Sequence, residues 1–186
     1  MGREVQTAGM SMLSLIRYPG FPSAVTGISV EAARAGRGEM ELRFEVMDPA
    51  GVLALPGPAP AVRTDGLWRR TCFEAFVKAQ GADGYHELNL APSGAWAAYR
   101  FDGYRSGMAE EMVIAAPAIA ASAIPGGFGL RARIDLSAIT GLAGPWRLGL
   151  SAVIGTVDGG LSYWALAHPA GEADFHHPGG FVLDLA

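Results

Sequence analysis

The sequence predicts an all-β domain: a two-sheet antiparallel β-sandwich of Ig-like or jelly-roll kind, with about ten short strands and little helix. Three observations predict it. Apolar and polar residues alternate with a period of two in several segments, turn residues fall between those segments, and a helical period is almost nowhere sustained. The 26 glycines and 12 prolines follow no fixed period, so they punctuate strands and do not mark a repeat.

Taken in order, Leu13 to Tyr18 is a short apolar run stopped by Pro19 and Gly20. Ile28 to Ala33 and Glu39 to Met47 flank the loop Ala35 to Gly38, whose glycines suit a hairpin. In the second arm Met40, Leu42, Phe44 and Val46 alternate with Glu39, Glu41, Arg43 and Glu45, giving one buried and one wet face. From Asp48 to Asp65 the prolines at 56, 58 and 60 forbid a central strand, and the segment reads as a surface loop or a crossing at the sheet edge. Thr71 to Phe101 reads as three strands, with turns near Gly81 to Gly84 and Pro92 to Gly94. Ala115 to Ser122 is alanine-rich, but Pro117 and Pro125 argue against a long helix. Leu130, Ala132 and Ile134 alternate with Arg131, Arg133 and Asp135, a strand whose arginines face water; Asp135 to Thr140 is expected to form one helical turn. Trp146 to Val157 and Leu161 to Ala167 flank the hairpin turn Asp158 to Gly160, and Phe181 to Leu185 completes the strands.

A chain of 186 residues suits one domain, expected over residues 10–186 behind a flexible leader over 1–9, with Met10 or Met12 as alternative starts. Half the residues are hydrophobic and 17% are charged, which excludes disorder. The net charge is −4 and Lys/Arg clustering goes no further than Arg63, Arg69 and Arg70, so no nucleic-acid partner is expected. Met10 to Ile16 is too short for a signal core or a span; no membrane partner is expected, and the location is read as cytoplasmic. Cys72, the single cysteine, cannot form an internal disulfide and reads as packing.

Sorting the central strands by parity places the candidate site. Phe73, Ala75 and Val77, then Leu88 and Leu90, then Ala97, Tyr99 and Phe101 are assigned to the core. The opposite face then carries Glu74, Tyr85, Glu87, Asn89, Trp96 and Arg100, and a four-residue loop from Pro92 to Ala95 would set Glu87 against Arg100. Trp164 and His168 share a parity late in the chain and are added to this face; Tyr104 and Arg105, with Met108, are read as its rim or as a plain connection. Carboxylates, an amide, a guanidinium and aromatic rings on one face differ from an ordinary wet face, although a polar outer face is the simpler alternative.

The runs 68–77 (WRRTCFEAFV) and 85–101 (YHELNLAPSGAWAAYRF), with 162–169 (SYWALAHP) and 174–176 (DFH), resemble the signature block of bacterial DOMON-like proteins, which are similar to family 9 carbohydrate-binding modules. The resemblance spans about Leu13 to Leu185. It implies a sandwich whose concave sheet binds sugars in some relatives and haem in others. It further implies Trp68 and Trp164 as aromatic platforms and Glu74, Asn89 and Arg100 as hydrogen-bonding groups.

The leading expectation is a non-catalytic domain that binds a carbohydrate or small polar ligand, with no catalytic residue, no metal site and no cofactor. A sugar has an apolar C–H face and a hydroxyl rim, which suits a flat aromatic ring beside acceptors and a planar donor. Three alternatives stay open. Haem could take Met108, Met112, His168, His176 or His177 as ligands, though spacing selects no pair. The same face could instead form a homodimer interface. Glu74 and Glu87 could also be the carboxylate pair of a glycosidase. Asp65, Asp83, Asp102, Asp158 and Asp174 stand singly in turns and are read as turn residues, not calcium ligands; His176 and His177 are read as structural.

Overall fold

The computed structural model describes residues 12–36 and 38–186. The expected leader over 1–9, Met10 and the hairpin residue Arg37 lie outside the described residues. Twelve strands are present among the described residues: β1 (Leu13–Arg17), β2 (Gly27–Ala35), β3 (Glu39–Met47), β4 (Cys72–Ala79), β5 (Tyr85–Leu90), β6 (Trp96–Phe101), β7 (Ala109–Glu110), β8 (Ala118–Ile124), β9 (Gly127–Asp135), β10 (Trp146–Gly155), β11 (Leu161–Ala165) and β12 (Leu183–Leu185). Two 3-10 turns, Leu67–Arg69 and Pro178–Gly180, are the helical content of the described residues.

All strand pairs are antiparallel. The first sheet runs β1-β2-β3-β9-β8, and the second runs β7-β6-β5-β4-β10-β11. β1 joins them: Leu13 to Leu15 pair with β2, and Ile16 and Arg17 pair with β11. The ten-residue β10 is long enough to pair with β11 along its second half and with β12 along its first. The two-sheet sandwich expected from the turn-punctuated pattern is therefore the fold.

The alternating sets meet between the sheets. Met40, Phe44 and Val46 of β3 and Leu130 and Ile134 of β9 face Phe73, Ala75 and Val77 of β4 and Leu148 and Leu150 of β10, all fully buried. Phe73 is the hinge of this packing, with ring centroids 5.0 Å from Phe44 and 6.4 Å from Phe128. Each such side chain contributes roughly 1.5–3 kcal/mol on burial. The 48–65 segment is a crossing, as its prolines require. Leu53 bridges to Thr156, and Arg63 bridges to Trp96 while laying its guanidinium 4.1 Å over the Trp96 ring.

Two details differ from the sequence expectation, while the alanine-rich stretch forms no helix, as its prolines require. Asp135 to Thr140 forms hydrogen-bonded turns and no helical turn, because the Asp135 carboxylate accepts the Ser137 N–H (2.9 Å) and competes with helix. Ala118–Ile124, in the alanine-rich stretch, is an edge strand. Strand β6 has the reverse parity. The β5–β6 loop spans Ala91 to Ala95, closed by the Ala91 N–H on the Ala95 carbonyl, so Leu90 pairs with Trp96 and Glu87 with Tyr99. One extra loop residue slips the register by one and exchanges the faces of every side chain on the strand.

The outer face of the second sheet consequently holds a second, aromatic cluster of Phe76, Tyr85, Tyr99, Phe101 and Phe181. The 167–182 segment folds back across this face. It can do so closely because residue 149 lacks a side chain: a Cβ there would lie 3.1 Å from the Gly180 carbonyl oxygen.

Candidate functional site

Between the second sheet, the Leu67–Arg69 turn, the β6–β7 loop and the returning 167–182 strap lies a cup of about 380 Å³. Strands β4 and β5 bring Glu74 and Glu87 to its floor, and β10 and β11 bring Val153 and Tyr163, which are register partners. The turn supplies Trp68, the β6–β7 loop Arg105 and Met108, and the strap Phe175 and His176. Trp68 stands edge-on to Tyr99 with centroids 6.0 Å apart.

The floor is buried and polar. Glu74 stands opposite Asn89, and Glu87 stands opposite Phe76, so the two carboxylates occupy diagonal positions on neighbouring strands. They are 2% and 5% exposed. Ser151 Oγ donates to Glu74 Oε2 at 3.3 Å, and Asn89 Nδ2 donates to Glu87 Oε1 at 2.8 Å. Glu74 Oε1 and Asn89 Oδ1 are buried without a partner. Burial, and then the neighbouring Glu87, push the Glu74 carboxyl well above the usual range. Burial raises Glu87 to about 7, opposed by its Asn89 bond and by Arg105.

The strap orders the remaining polar groups. Asp174 Oδ1 accepts from Arg105 Nη2 (2.7 Å) and from the His176 N–H (3.0 Å), while its Oδ2 accepts from Tyr104 Oη at 2.5 Å. Arg105 occupies the left-handed region (φ 50°), which costs a non-glycine residue about 1 kcal/mol or more. Its backbone N–H donates to Tyr85 Oη at 3.3 Å, and Tyr85 Oη lies 2.8 Å from His176 Nδ1. The other ring nitrogen, Nε2, lies 3.7 Å from Glu87 Oε2. Burial first, and then Arg105, hold the His176 imidazole down to about 4, so it is neutral near pH 7.

Of the residues singled out from sequence, Trp68, Glu74, Glu87 and Arg105 line the cup. Asn89 and Tyr85 lie just behind it, holding Glu87 and His176, and Tyr104 is on the rim through Asp174. Four are elsewhere. Trp96 belongs to the main core and Arg100 is exposed beside His86, both because of the β6 register. Trp164 pairs with Ala152 and is buried in the main core, its indole N–H on Ser162 Oγ at 3.0 Å, which leaves the adjacent Tyr163 to face the cup. His168 lies beyond the end of β11, 2.7 Å from the Ile16 carbonyl oxygen and edge-on to Tyr18, so strand parity does not extend to it.

Sequence reasoning misses Phe101, Val153, Tyr163 and Phe175 as cup-lining residues, and offers His176 only as a haem ligand or a structural histidine. The signal for Tyr163 was the β10 alternation, where Leu148, Leu150, Ala152 and Ile154 take the core and Gly149, Ser151 and Val153 the other face. Cys72 is fully buried, with its thiol pushed upward by burial and by Glu74, consistent with packing. His177 serves the strap itself, accepting the Gly179 N–H at 3.0 Å. No group of three or more His, Cys, Asp or Glu is arranged for a metal ion among the described residues.

Met108 and His176 both line the cup, with His176 Nδ1 2.8 Å from Tyr85 Oη and Nε2 3.7 Å from Glu87 Oε2. A larger groove of about 680 Å³ runs between the 48–58 crossing and the β8–β9 hairpin. Its single carboxylate, Asp48, already caps the Val52 and Leu53 N–H groups.

No family model matches the chain, and no curated protein matches it. Solved structures do. A putative carbohydrate-binding protein from Bacteroides uniformis is similar at 16% identity with a TM-score of 0.67, over 95% of this chain and 85% of that one. A family 9 carbohydrate-binding module from Caldicellulosiruptor kristjanssonii in complex with cellotriose is similar at 13% identity, TM-score 0.52, over 92% and 81%. The same family's module from that organism in complex with glucose gives 13% identity, TM-score 0.53, over 95% and 83%. At these identities the likeness establishes the fold, which is that of family 9 carbohydrate-binding modules.

Proposed function

We propose that this chain is a non-catalytic carbohydrate-binding domain of DOMON-like kind that holds one sugar residue in the cup. The observation that carries the reading is Glu74 Oε1, a buried acceptor without a protein partner, on the floor of a cup walled by Trp68, Tyr163 and Phe175. Unpaired buried acceptors are costly, and a sugar hydroxyl entering the cup would satisfy this one. The rings suit the C–H face of a pyranose, and Arg105, which also lines the cup, offers a planar donor. The fold shared with modules solved in complex with cellotriose and glucose supports the same reading.

Calorimetric titration with glucose, cellotriose and a panel of other saccharides tests it. Saturable binding of a saccharide that is recovered intact supports the proposal; no heat with any of them refutes it. A carboxyl poised at about 7 beside a second carboxylate is also a feature of glycoside hydrolysis. New reducing ends in the recovered ligand would establish that second reading.

A further inference from the structure

Resting on the saccharide-binding reading, we infer that the cup selects a sugar carrying a free, positively charged amine over its neutral counterpart. The floor holds two buried carboxylates from neighbouring strands, Glu74 and Glu87, with one Glu74 oxygen unpartnered and the other taking only the Ser151 hydroxyl. Among the described residues no cation is devoted to them. Arg105 is the one Lys or Arg among the described residues lining the cup, and its Nη2 is committed to Asp174 Oδ1 at 2.7 Å. His176 approaches Glu87 to 3.7 Å, but its imidazole is held neutral near pH 7 by burial.

A neutral hydroxyl has one proton to donate and can satisfy one of these oxygens. An ammonium has three and can bridge both carboxylates. The surrounding rings add to the preference, because the faces of Trp68, Tyr163 and Phe175 attract a cation that has left water. An N-acetylated amine keeps the ring but loses both the charge and two donors, so it belongs with the neutral sugars.

Burial raises both carboxyls, Glu87 to about 7, so an ammonium that favours their ionised forms displaces protons to solvent. The other titratable or charged groups around the pair are Cys72 on β4, Tyr85 on β5, Tyr99 on β6, Arg105 on the following loop, and Asp174 and His176 on the strap.

The experiment titrates the full chain at pH 7 with glucosamine, glucose, N-acetylglucosamine and cyclohexylamine, each in two buffers of different ionisation enthalpy. Glucosamine is expected to bind about tenfold tighter than glucose or better, the margin a charge-assisted hydrogen bond holds over a neutral one. Its binding is expected to release protons where glucose releases none, and Glu87→Gln is expected to bring the glucosamine-to-glucose affinity ratio close to one. Should that variant fold poorly, the ratio in Glu74→Gln and the proton release of the unsubstituted chain decide. Glucose binding as tightly as glucosamine, or N-acetylglucosamine binding tighter, overturns the inference and leaves saccharide binding standing. Cyclohexylamine matching glucosamine overturns the sugar part of the selection. If none of these three saccharides binds, this inference fails, and the wider saccharide panel decides whether the proposed function fails with it.

Discussion

Replacing Glu87 by Gln should stabilise the fold, and by an amount that grows with pH. The amide keeps the shape and can still accept from Asn89, but it cannot ionise on the buried floor. Folding raises this carboxyl from 4.5 to about 7, and at about 1.4 kcal/mol per pH unit the raised value corresponds to about 3 kcal/mol. In the unsubstituted protein that stability is fully present below pH 4.5 and is lost as pH rises through about 7, because the folded state holds its proton longer than the unfolded chain. His176 works in the opposite sense. Its value drops from 6.5 to about 4, so its contribution is gained as pH rises through that window. The His176 slope opposes those of Glu87 and Glu74 in the unsubstituted protein, and removing Glu87 takes away one of the two opposing it. Urea denaturation at half-unit steps from pH 4.5 to 8.5 should show the variant gaining about 3 kcal/mol relative to the parent across the range. A difference that is constant with pH, or that runs the other way, would refute the reasoning that this carboxylate is ionised only at a cost.

Other substitutions separate the cup from the core. Trp164→Ala should cost about 3–5 kcal/mol of stability as a buried core truncation, while Trp68→Ala, half-exposed on the wall, should leave the denaturation midpoint nearly unchanged and weaken saccharide binding about tenfold or more. Arg100→Ala should alter neither stability, within about 0.5 kcal/mol, nor affinity, whereas Arg105→Ala should lower affinity; equal effects in titration would contradict the β6 register. Gly149→Ala should cost about 1–3 kcal/mol by driving a methyl group against the Gly180 carbonyl, measured by denaturation, with faster amide exchange in the strap as its local signature.

The first sheet was legible because one of its faces is wet. Along β3 and β9 every charge falls on one parity and every apolar residue except the exposed terminal Met47 on the other, so Met40, Phe44, Leu130 and Ile134 are identified by alternation alone. The second sheet is covered on both faces, by the first sheet and by the strap, and that removes the contrast. In β6, Trp96 on one parity and Tyr99 and Phe101 on the other bury equally well, so loop length decides, and five residues in place of four exchanged the faces. The same ambiguity placed Trp164 where Tyr163 belongs. Glu74, Glu87 and Asn89 could be read because β4 carries its charges on one parity and, in β5, Glu87 and Asn89 alternate with Leu88 and Leu90, His86 near the strand start being the one polar group on the apolar parity. Phe175 and His176 could not, since they act from a loop whose path over the sheet is set by Gly149 and by the Asp174 clamp, and neither leaves a period in the sequence.

The four tryptophans provide the most direct test, because Trp68 alone lines the cup, while Trp96, Trp146 and Trp164 lie in the main core. Following the four indole N–H resonances by NMR while a bound saccharide is added should move the Trp68 signal progressively and leave the other three in place. Movement of the Trp164 or Trp96 signal with Trp68 unchanged would put the ligand somewhere other than this cup.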